Sequence, residues 1–573
     1  MNQNIISPEE LDIRHADMLR DEITVTFPSG RQAFFPRGTK LIDVCEDNEE
    51  FKHENGYPLL GALADKELVS LNEHMTINCS VEPLFGDSDL GSSMYRESVA
   101  FLLSMAAHKL WHMDNAIVIS HSLGHGYFYH YKDENKEMSD ENLRELEAKM
   151  HELVADALNI SRRQFAYDQA LDYFRQTNQD QSASLIEARN DPRISLLVCS
   201  DFLDLWHHAL VHNTAVLKTF SLMKYGHGFI LRFPSRKDPL NLPAFVDNQN
   251  LYQVYKEHTK WGKTLGIQCV GDLNRAISTS NIREFICTSE AIQQANLARL
   301  AMSVPDTAKL LLIAGPSSSG KSTFALRLAI QLRALGRRPV TIGLDNYYVD
   351  REMTPKDEDG NFDFEAVEAI DIDYLNSQLT DLMAGEEIRL PRFDFVHGKR
   401  TPGNLLKLPP SGIIIMEGIH GLNDRLTSRV PAEDKYKVFI SPLTMLNIDD
   451  HTRISTTENR LIRRMVRDYQ FRGCKAATTL AMWPSVRRGE ETHIFPYQNK
   501  ADFVFNSTLD YELSALSVHA IGLLRGIKPG EEGFPLARKL LKFLRNFHQI
   551  DARYVPKDSL LREFLGGGSF DVH

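Results

Sequence analysis

Hydrophobic and polar residues alternate with two different periods along the chain, and each period predicts its own kind of element. Near the start, residues 23–27 and 32–35 flank a Pro28-Ser29-Gly30 turn, which predicts a β-hairpin. The short runs 68–71 and 75–79 predict further strands close by. This first region is therefore predicted to be a small β-rich unit.

Further along, the pattern changes to helices and then to buried strands. Apolar residues recur at helical spacing over residues 95–111, and residues 126–129 predict a strand of core aromatic side chains. Residues 310–314 and 412–416 are almost continuously apolar. Such strands are typical of a parallel sheet with helices on both faces, so the second half is predicted to have an α/β fold.

Length and composition set limits on these regions. The 573 residues predict several domains, and 42% apolar with 25% charged residues indicates a globular chain. A net charge of −12 argues against general coating of nucleic acid or anionic membrane. The six cysteines lack a C-x-x-C motif, no run approaches 18 apolar residues, and the start is polar. A cytoplasmic location without membrane contact is therefore expected.

One segment matches a phosphate-binding motif. Residues 315–323 fit G-x-x-x-x-G-K-[ST] between the apolar run 310–314 and a helical pattern over 324–335. Its backbone N–H groups are predicted to cradle a polyphosphate, with Lys321 at the β- and γ-phosphates and Ser322 on magnesium. The predicted phosphate-binding residues are Gly315, Ser317, Ser318, Ser319, Gly320, Lys321, Ser322 and Thr323.

Two carboxylates follow predicted strands, at the edge where open parallel sheets bind ligands. Asp345 follows residues 340–344, and Glu417 follows residues 412–416. Asp345 can accept a proton from a substrate hydroxyl or hold magnesium through water; capping of a helix is the structural alternative. Glu417 suits a Walker-B-type carboxylate that faces the metal.

A basic segment interrupts this acidic chain between Arg453 and Arg488. It contains nine Lys or Arg residues against two acids. Its position after the phosphate motif favours an ATP lid, although a solvated basic face and nucleic-acid binding are alternatives. The arginines that share one predicted helical face, directed at a transferring phosphoryl group, are Arg460, Arg463, Arg464 and Arg467.

From about residue 309 to residue 507 the chain resembles the uridine kinase and phosphoribulokinase family of P-loop kinases, especially the uridine-cytidine kinases. The resemblance implies an ATP- and Mg²⁺-dependent kinase. The matching parts are the phosphate motif, Asp345 with Tyr348, and the segments 362–365, 391–395, 416–418, 463–468 with Arg472, and 501–504.

The resemblance implies roles for individual residues. Asp345 would be the base for a ribose 5′-hydroxyl, Glu365 would hold ribose hydroxyls, and Phe393 and Phe395 would pack on the base. The predicted catalytic group is Asp345, Lys321, Arg464, Arg467 and Arg472, and the predicted magnesium partners are Ser322, Glu417 and Asp345. The predicted substrate-binding residues are Tyr348, Glu365, Phe393, Phe395, His397 and Arg400.

The chain departs from that family at the base-reading position. Uridine-cytidine kinases carry His, then Ser or Thr, then Arg after the aromatic pair, whereas residues 396–400 read Val-His-Gly-Lys-Arg. Gly398 therefore stands where the base-reading histidine is expected, and His397 is displaced by one position. Residues 447–458 resemble an insertion, and residues 483–490 have no close counterpart in the simple kinases.

The N-terminal half resembles parts of a different family. Residues 20–85 are similar to the ubiquitin-like TGS domain. Through the segments 96–103, 121–129 and 201–208, residues 90–235 resemble the editing-type second domain of threonyl- and alanyl-tRNA synthetases. The editing site of that family uses H-x-x-x-H and C-x-x-x-H. Because none of these four residues is kept, no editing activity is expected, and a binding role could remain. The replacing residues are Glu97, Phe101, Trp206 and Leu210.

These patterns predict five regions and one leading function. The function is phosphorylation of a nucleoside 5′-hydroxyl; the alternatives are another small alcohol as acceptor, or an ATP-gated RNA- or ribosome-binding regulator. RNA contact through the N-terminal half and a homo-oligomer are further expectations. The regions are a TGS-like β-grasp domain (1–86), a degenerate α+β synthetase-like module (87–240), a connecting region (241–304), a P-loop kinase domain (305–525) and a helical tail (526–573).

Overall fold

The computed structural model describes residues 21–46, 48–112, 116–133, 135–279, 281–356, 360, 362–394 and 397–572. Phe395, predicted to contact substrate, lies outside the described residues. The strands of the described chain are β1 (Glu22–Thr26), β2 (Gln32–Pro36), β3 (Gly61–Ala64), β4 (Glu67–Val69), β5 (Cys79–Leu84), β6 (Ile117–Leu123), β7 (Gly126–Tyr131), β8 (Ser161–Ala166), β9 (Arg193–Cys199), β10 (Phe202–Leu205), β11 (Ser221–Tyr225), β12 (Gly228–Arg232), β13 (Leu310–Ala314), β14 (Arg338–Gly343), β15 (Glu387–Asp394), β16 (Lys399–Lys407), β17 (Gly412–Glu417), β18 (Lys435–Ser441) and β19 (Phe503–Asn506).

The helices of the same residues are α1 (Leu41–Cys45), α2 (Asp89–Trp111), α3 (Asp140–Ala155), α4 (Tyr167–Gln176), α5 (Asp180–Arg189), α6 (Gln249–Leu265), α7 (Val270–Ser278), α8 (Ile282–Ser303), α9 (Lys321–Ala334), α10 (Ile372–Met383), α11 (Thr456–Phe471), α12 (Ala476–His493), α13 (Glu512–Arg525), α14 (Phe534–Leu544) and α15 (Arg562–Leu565). Within the described ranges, no helix is both long and apolar enough to cross a membrane.

The described residues form two compact units, and each unit is assembled from separate stretches of chain. The first unit contains the described residues of Met1–Asp247 together with Asn447–Arg453 and Lys528–Asn546. The second unit contains those of the remaining stretches, Asn248–Leu446, Ile454–Ile527 and Phe547–His573. The predicted helical tail is thus divided between the two units, and the five-region division stays a prediction.

The β-grasp part of the first unit begins with the predicted hairpin. Strands β1 and β2 pair antiparallel, β1 runs parallel to β5, and the sheet order is β2-β1-β5-β3-β4. The prediction of a strand over residues 75–78 is wrong, since β5 starts only at Cys79. Met75 instead exchanges backbone hydrogen bonds with Gly38 and Thr39, which lie before α1, and this pairing takes the segment out of the sheet.

The rest of the first unit packs around α2. This helix buries Val99, Leu102 and Leu103 completely, as its helical spacing predicts. One sheet has the order β11-β12-β7-β6, and another has the order β10-β9-β8. Phe128 and Tyr129 of β7 are also fully buried, which confirms the predicted strand of core aromatics.

The short stretch Asn447–Arg453 joins the first unit through buried polar contacts. The Nδ1 atom of His451 lies 3.0 Å from Asp204 Oδ2, and His207 pairs with Asp449. The carboxylate of Asp450 accepts a hydrogen bond of 3.0 Å from the backbone N–H of Ser182. These three contacts explain why a segment that comes directly before the lid helix in sequence belongs to the first unit.

The second unit is built on the parallel sheet that the sequence predicts. Its strands run parallel in the order β14-β17-β13-β18-β19. Every side chain of β13 is at most 1% exposed. Because successive side chains of a strand point to opposite faces, this burial means that both faces of the sheet are covered.

Candidate functional site

The phosphate motif forms a turn between β13 and α9. Ser318 and Gly320 have φ values of +60° and +88°, in the left-handed region that favours glycine. A Cβ atom on Gly315 would lie 2.0 Å from the carbonyl oxygen of Ile440, so only glycine fits there. Lys321 Nζ donates hydrogen bonds to the carbonyl oxygens of Gly315 (3.0 Å) and Pro316 (3.2 Å). All predicted phosphate-binding residues therefore lie on one strand-to-helix turn, as expected.

The predicted magnesium partners are brought together by the sheet. Strand β17 pairs with β13 in a register that places Glu417 opposite Ile313, just before the phosphate loop. The hydroxyl of Ser322 donates a hydrogen bond of 3.1 Å to Glu417 Oε1. Burial, and then the charge of Asp345, raises the pKa of Glu417 to about 7. A hydroxyl and two carboxylates are the hard oxygen ligands that Mg²⁺ prefers, so these residues fit the metal.

Asp345 lies on a short 3₁₀ turn directly after β14. Solvent reaches its side chain, which makes the carboxylate accessible to a substrate. Loss of hydration among the neighbouring protein atoms raises the pKa of Asp345, while the positive charges of Lys321, Arg472 and Arg467 lower it. The Asp345 carboxylate thus interacts electrostatically with Lys321, Arg467 and Arg472, the cations that would hold a transferring phosphoryl group.

The arginines of α11 divide into two groups that the helical pattern could not separate. Arg460 and Arg463 are at most 1% exposed and form ion pairs with Glu490 and Glu512, respectively. Both also contact the phosphate loop: Arg460 donates a hydrogen bond of 3.2 Å to the carbonyl oxygen of Ser317, and Arg463 donates one of 3.4 Å to that of Ser318. Their expected role toward a transferring phosphoryl group stays a prediction. Arg464 contacts a side chain of the loop instead of its backbone, and donates a hydrogen bond of 2.9 Å to Ser317 Oγ.

The other two predicted lid residues share one carboxylate. Arg467 donates a hydrogen bond of 2.8 Å to Asp468 Oδ1, and Arg472 lies 3.7 Å from the same oxygen. The side chain of Arg472 is 58% exposed. Both guanidinium groups act electrostatically on Asp345, so they remain candidates for stabilising negative charge there.

Two predicted substrate residues, Tyr348 and Glu365, lie near the phosphate loop and Asp345. The Tyr348 hydroxyl donates a hydrogen bond of 3.2 Å to the carbonyl oxygen of Phe364. Burial, followed by the charge of Glu490, raises the pKa of Glu365 to about 7, against the charges of Arg464 and Lys321. Glu365 is thus placed in the same electrostatic neighbourhood as the phosphate loop.

The remaining described substrate residues have other surroundings. Phe393 is 7% exposed and packs edge-on against Tyr348 with ring centroids 5.6 Å apart, within an apolar core cluster. His397 has a side chain 75% exposed and lies 2.7 Å from Asp394. Arg400 donates a hydrogen bond of 2.9 Å to Asp371 and lies over the Tyr374 ring. Asp394, Asp371 and Tyr374 thus engage the two polar residues.

Two carboxylates at the phosphate loop were not predicted from the sequence. Glu490 Oε1 accepts a hydrogen bond of 3.0 Å from the backbone N–H of Ser317, and Glu563 Oε2 accepts one of 3.1 Å from that of Thr323. Glu490 lies in the segment 483–490, which has no close counterpart in the simple kinases, and this difference was the available signal for it. The second comes from a region whose pattern indicates only a helical tail.

The editing positions of the first unit are filled rather than open. Phe101 and Leu210 are each 3% exposed and belong to the core. Glu97 Oε2 lies 2.7 Å from His208 Nε2, and Lys539 of α14 lies 3.8 Å from Glu97 Oε1. We call these three charged residues the Glu97 cluster. Trp206 lies beneath two cations, Arg162 and Lys542, at 4.2 and 4.9 Å from the ring centroid.

Relatives of the N-terminal half are threonine–tRNA ligases. The protein from Methylococcus capsulatus is 30% identical over 257 residues, covering 42% of this chain and 39% of its own length. The protein from Thermotoga neapolitana is 24% identical over 203 residues, covering 35% of this chain and 30% of its own. The chain thus spans less than half the length of these relatives, and the similarity lies in its N-terminal half.

Solved kinase structures and a family model give matches of another kind. A solved structure of a possible uridine kinase from Bacillus stearothermophilus covers 38% of this chain and 98% of its own, with a TM-score of 0.26 and 20% identity. D-glycerate 3-kinase from Cryptococcus neoformans covers 48% and 89%, with a TM-score of 0.19 and 14% identity. The model of the Phosphoribulokinase / Uridine kinase family matches residues 310–514. Residues 310–514 are thus similar to the Phosphoribulokinase / Uridine kinase family.

Proposed function

We propose that the chain is an ATP- and Mg²⁺-dependent kinase that phosphorylates the 5′-hydroxyl of a nucleoside. The observation that carries the proposal is the solvent-accessible Asp345 within the electrostatic reach of Lys321, on the sheet edge where Ser322 contacts Glu417. A protein that only senses ATP needs no base for a hydroxyl, whereas a kinase does.

Each group has a defined part in the proposed transfer. The N–H groups of the loop and Lys321 bind the phosphates of ATP, which Lys321 can reach by leaving the carbonyl oxygens of Gly315 and Pro316. Asp345 accepts the proton of the acceptor hydroxyl as its oxygen attacks the γ-phosphorus. Arg464 at Ser317, with the charges of Arg467 and Arg472, stabilises the negative charge on the transferred group. Magnesium, held by Ser322 and Glu417, would offset phosphate charge.

The acceptor is proposed to be recognised through its ribose more than through its base. The charges of Arg464 and Lys321 act on Glu365, so it lies near the phosphate loop. One of its oxygens, Oε2, is buried. His397, in contrast, is exposed and held by Asp394. A nucleoside of any base is therefore the proposed substrate. The exposure of His397 also favours the second candidate, a small alcohol without a base, such as a sugar phosphate or a pantothenate-like compound.

The test is ATP turnover by the full chain with a panel of nucleosides, sugar phosphates and pantothenate-like alcohols, with and without RNA. We expect turnover with several nucleosides, reduced for all of them in Glu365→Ala and little changed in His397→Ala. Turnover with only a non-nucleoside alcohol would overturn the acceptor and leave the kinase. Absence of ADP formation with every acceptor would overturn the kinase itself.

Similarity to threonine–tRNA ligases supports a proposed RNA partner for the first unit. Because Phe101 and Leu210 are buried and Glu97 pairs with His208 and Lys539 at the positions that correspond to the editing site, such an RNA would have to bind elsewhere on that unit. A change in turnover on adding RNA to the same assay would support the contact.

A further inference from the structure

The C-terminal segment Val555–Leu565 places a carboxylate on the phosphate loop. Glu563 Oε2 accepts a hydrogen bond of 3.1 Å from the backbone N–H of Thr323, in the first turn of α9. N–H groups at this position of a P-loop cradle the phosphates of a bound nucleotide. A carboxylate and a phosphate oxygen cannot accept from the same N–H in the same place. Glu563 therefore occupies a position that the nucleotide needs.

Packing holds the segment against the loop. A Cβ atom on Gly320 would lie 2.4 Å from Leu560 Cδ2, so the loop glycine and this leucine are in close contact. The guanidinium of Arg463 lies 4.9 Å from the centre of the Phe564 ring. Leu560 and Phe564 are at most 1% exposed, and Glu563 is 7% exposed. The carboxylate is thus fixed in place by apolar neighbours on either side.

Glu490 is a second carboxylate on the phosphate loop, but it is held in place by other contacts than Glu563 is. Glu490 is fully buried and forms ion pairs with Arg460 and Arg487, so it is part of the framework under the loop. Glu563 belongs to the four-residue helix α15. Movement of Glu563 requires displacement of one short segment, whereas movement of Glu490 would break the buried framework.

We propose that the segment Val555–Leu565 is an internal competitor of ATP, in which Glu563 must leave the N–H of Thr323 before the nucleotide phosphates can bind. The inference rests on the proposed ATP-binding function of the loop. Two states follow: one with the segment on the loop, and one with the segment displaced and the loop competent for nucleotide. The apparent affinity for ATP is then lowered by the fraction of molecules in the first state.

The test is the affinity of the full chain for a non-hydrolysable ATP analogue with Mg²⁺, measured by calorimetry. Glu563→Gln keeps the size of the side chain and removes its charge, which weakens its hydrogen bond to Thr323. We expect the dissociation constant to fall by about tenfold, since a charge-assisted bond exceeds a neutral one by roughly that factor. The matched control is Asp558→Asn, which removes a carboxylate from an exposed position of the same segment and should leave the affinity unchanged.

A second measurement uses the wild-type chain, so that it does not depend on a variant folding. Backbone hydrogen exchange of residues 555–565 should become faster when the analogue binds. Binding with equal affinity in wild type and Glu563→Gln, or exchange that stays the same on saturation, would overturn the competitor and leave the kinase proposal standing. Absence of analogue binding in all three proteins, together with absence of ATP turnover, would overturn the kinase proposal and the competitor with it.

Discussion

The phosphate-loop site of the second unit and the Glu97 cluster of the first unit both gather charged residues, but they balance charge in opposite ways. At the loop, the pKa values of Asp345, Glu417 and Glu365 are all raised, so negative charge there lacks full compensation. In the Glu97 cluster, burial opposes ionisation, yet His208 and Lys539 hold the pKa of Glu97 well below its usual range.

The difference indicates which of the two sites is prepared for a ligand. Groups that keep unfavourable charge in a folded protein are typical of sites where a bound partner supplies the compensation. Groups that are paired within the chain contribute to stability instead. Perturbation of the loop should therefore change catalysis, and perturbation of the Glu97 cluster should change folding.

Lys321→Ala is expected to have the largest effect. It removes the cation that meets the β- and γ-phosphates, so kcat/KM should fall by more than about 10³-fold and ATP affinity should drop as well. Steady-state kinetics and ATP titration measure both quantities. Lys309→Ala is the matched control, because the Lys309 side chain is half exposed and forms an ion pair with Asp434, away from the phosphate loop in sequence. Turnover at the wild-type rate in Lys321→Ala would show that the loop does not bind the reacting nucleotide.

Asp345→Asn should lower kcat by about 10²- to 10⁴-fold while ATP still binds, which is the range for loss of a general base. The measurement is kcat and KM for the acceptor at saturating ATP. Asp373→Asn serves as the control, since the Asp373 side chain is 97% exposed. A raised KM with an unchanged kcat would make Asp345 a binding residue.

The His451 contact of the first unit should make stability depend on pH. Burial alone would lower the pKa of His451, but carboxylates around it raise the value to about 9. Because this exceeds the unfolded value of about 6.5, the stabilisation is complete below pH 6.5 and is lost as the pH rises to about 9, by about 3 kcal/mol. The titratable groups that face His451 are Asp204, Asp449, Asp450 and His108.

Denaturant unfolding between pH 6.5 and 9 measures this effect. His451→Asn should flatten the pH dependence relative to wild type, and His125→Asn, at an exposed position, should not. An identical slope in wild type and His451→Asn would place the titration on other groups.

Glu97→Gln should have the smallest of these effects. It leaves His208 and Lys539 without their carboxylate, and because Glu97 is 23% exposed we expect a loss of about 1–2 kcal/mol in the free energy of unfolding. Glu152→Gln, in an exposed pair with Lys149, is the control and should cost less than about 0.5 kcal/mol. Equal stability of Glu97→Gln and wild type would contradict the assignment of this cluster to folding.

The sequence was sufficient to predict those features that depend on residues close together in the chain. The phosphate loop, the strand-end positions of Asp345 and Glu417, and the hairpin of β1 and β2 depend on residues close in sequence, and the structure confirms their placement. The parallel sheet was predictable because its strands are continuously apolar.

Long-range pairing was not predictable in the same way. A helical face gives the direction of an arginine but not its partners. The pattern could not show that Arg460 pairs with Glu490 and the Ser317 carbonyl oxygen, whereas Arg464 contacts Ser317 Oγ. Glu563 meets Thr323 across 240 positions of sequence. The insertion before the lid helix was recognised, but its histidine–carboxylate contacts with residues near position 205 carry no sequence signal.

The division of the first unit among three stretches of chain has a consequence for synthesis on the ribosome. After Asp247 has been made, roughly 300 further residues must be translated before α14 is available, which takes about 15–60 s at the usual rates of 5–20 residues per second. Asp204 and His207 lack His451 and Asp449 for roughly the first 200 of these residues, and Glu97 lacks Lys539 until almost all of them have been made. The nascent first unit therefore stays open to chaperones and proteases until nearly the whole chain has emerged.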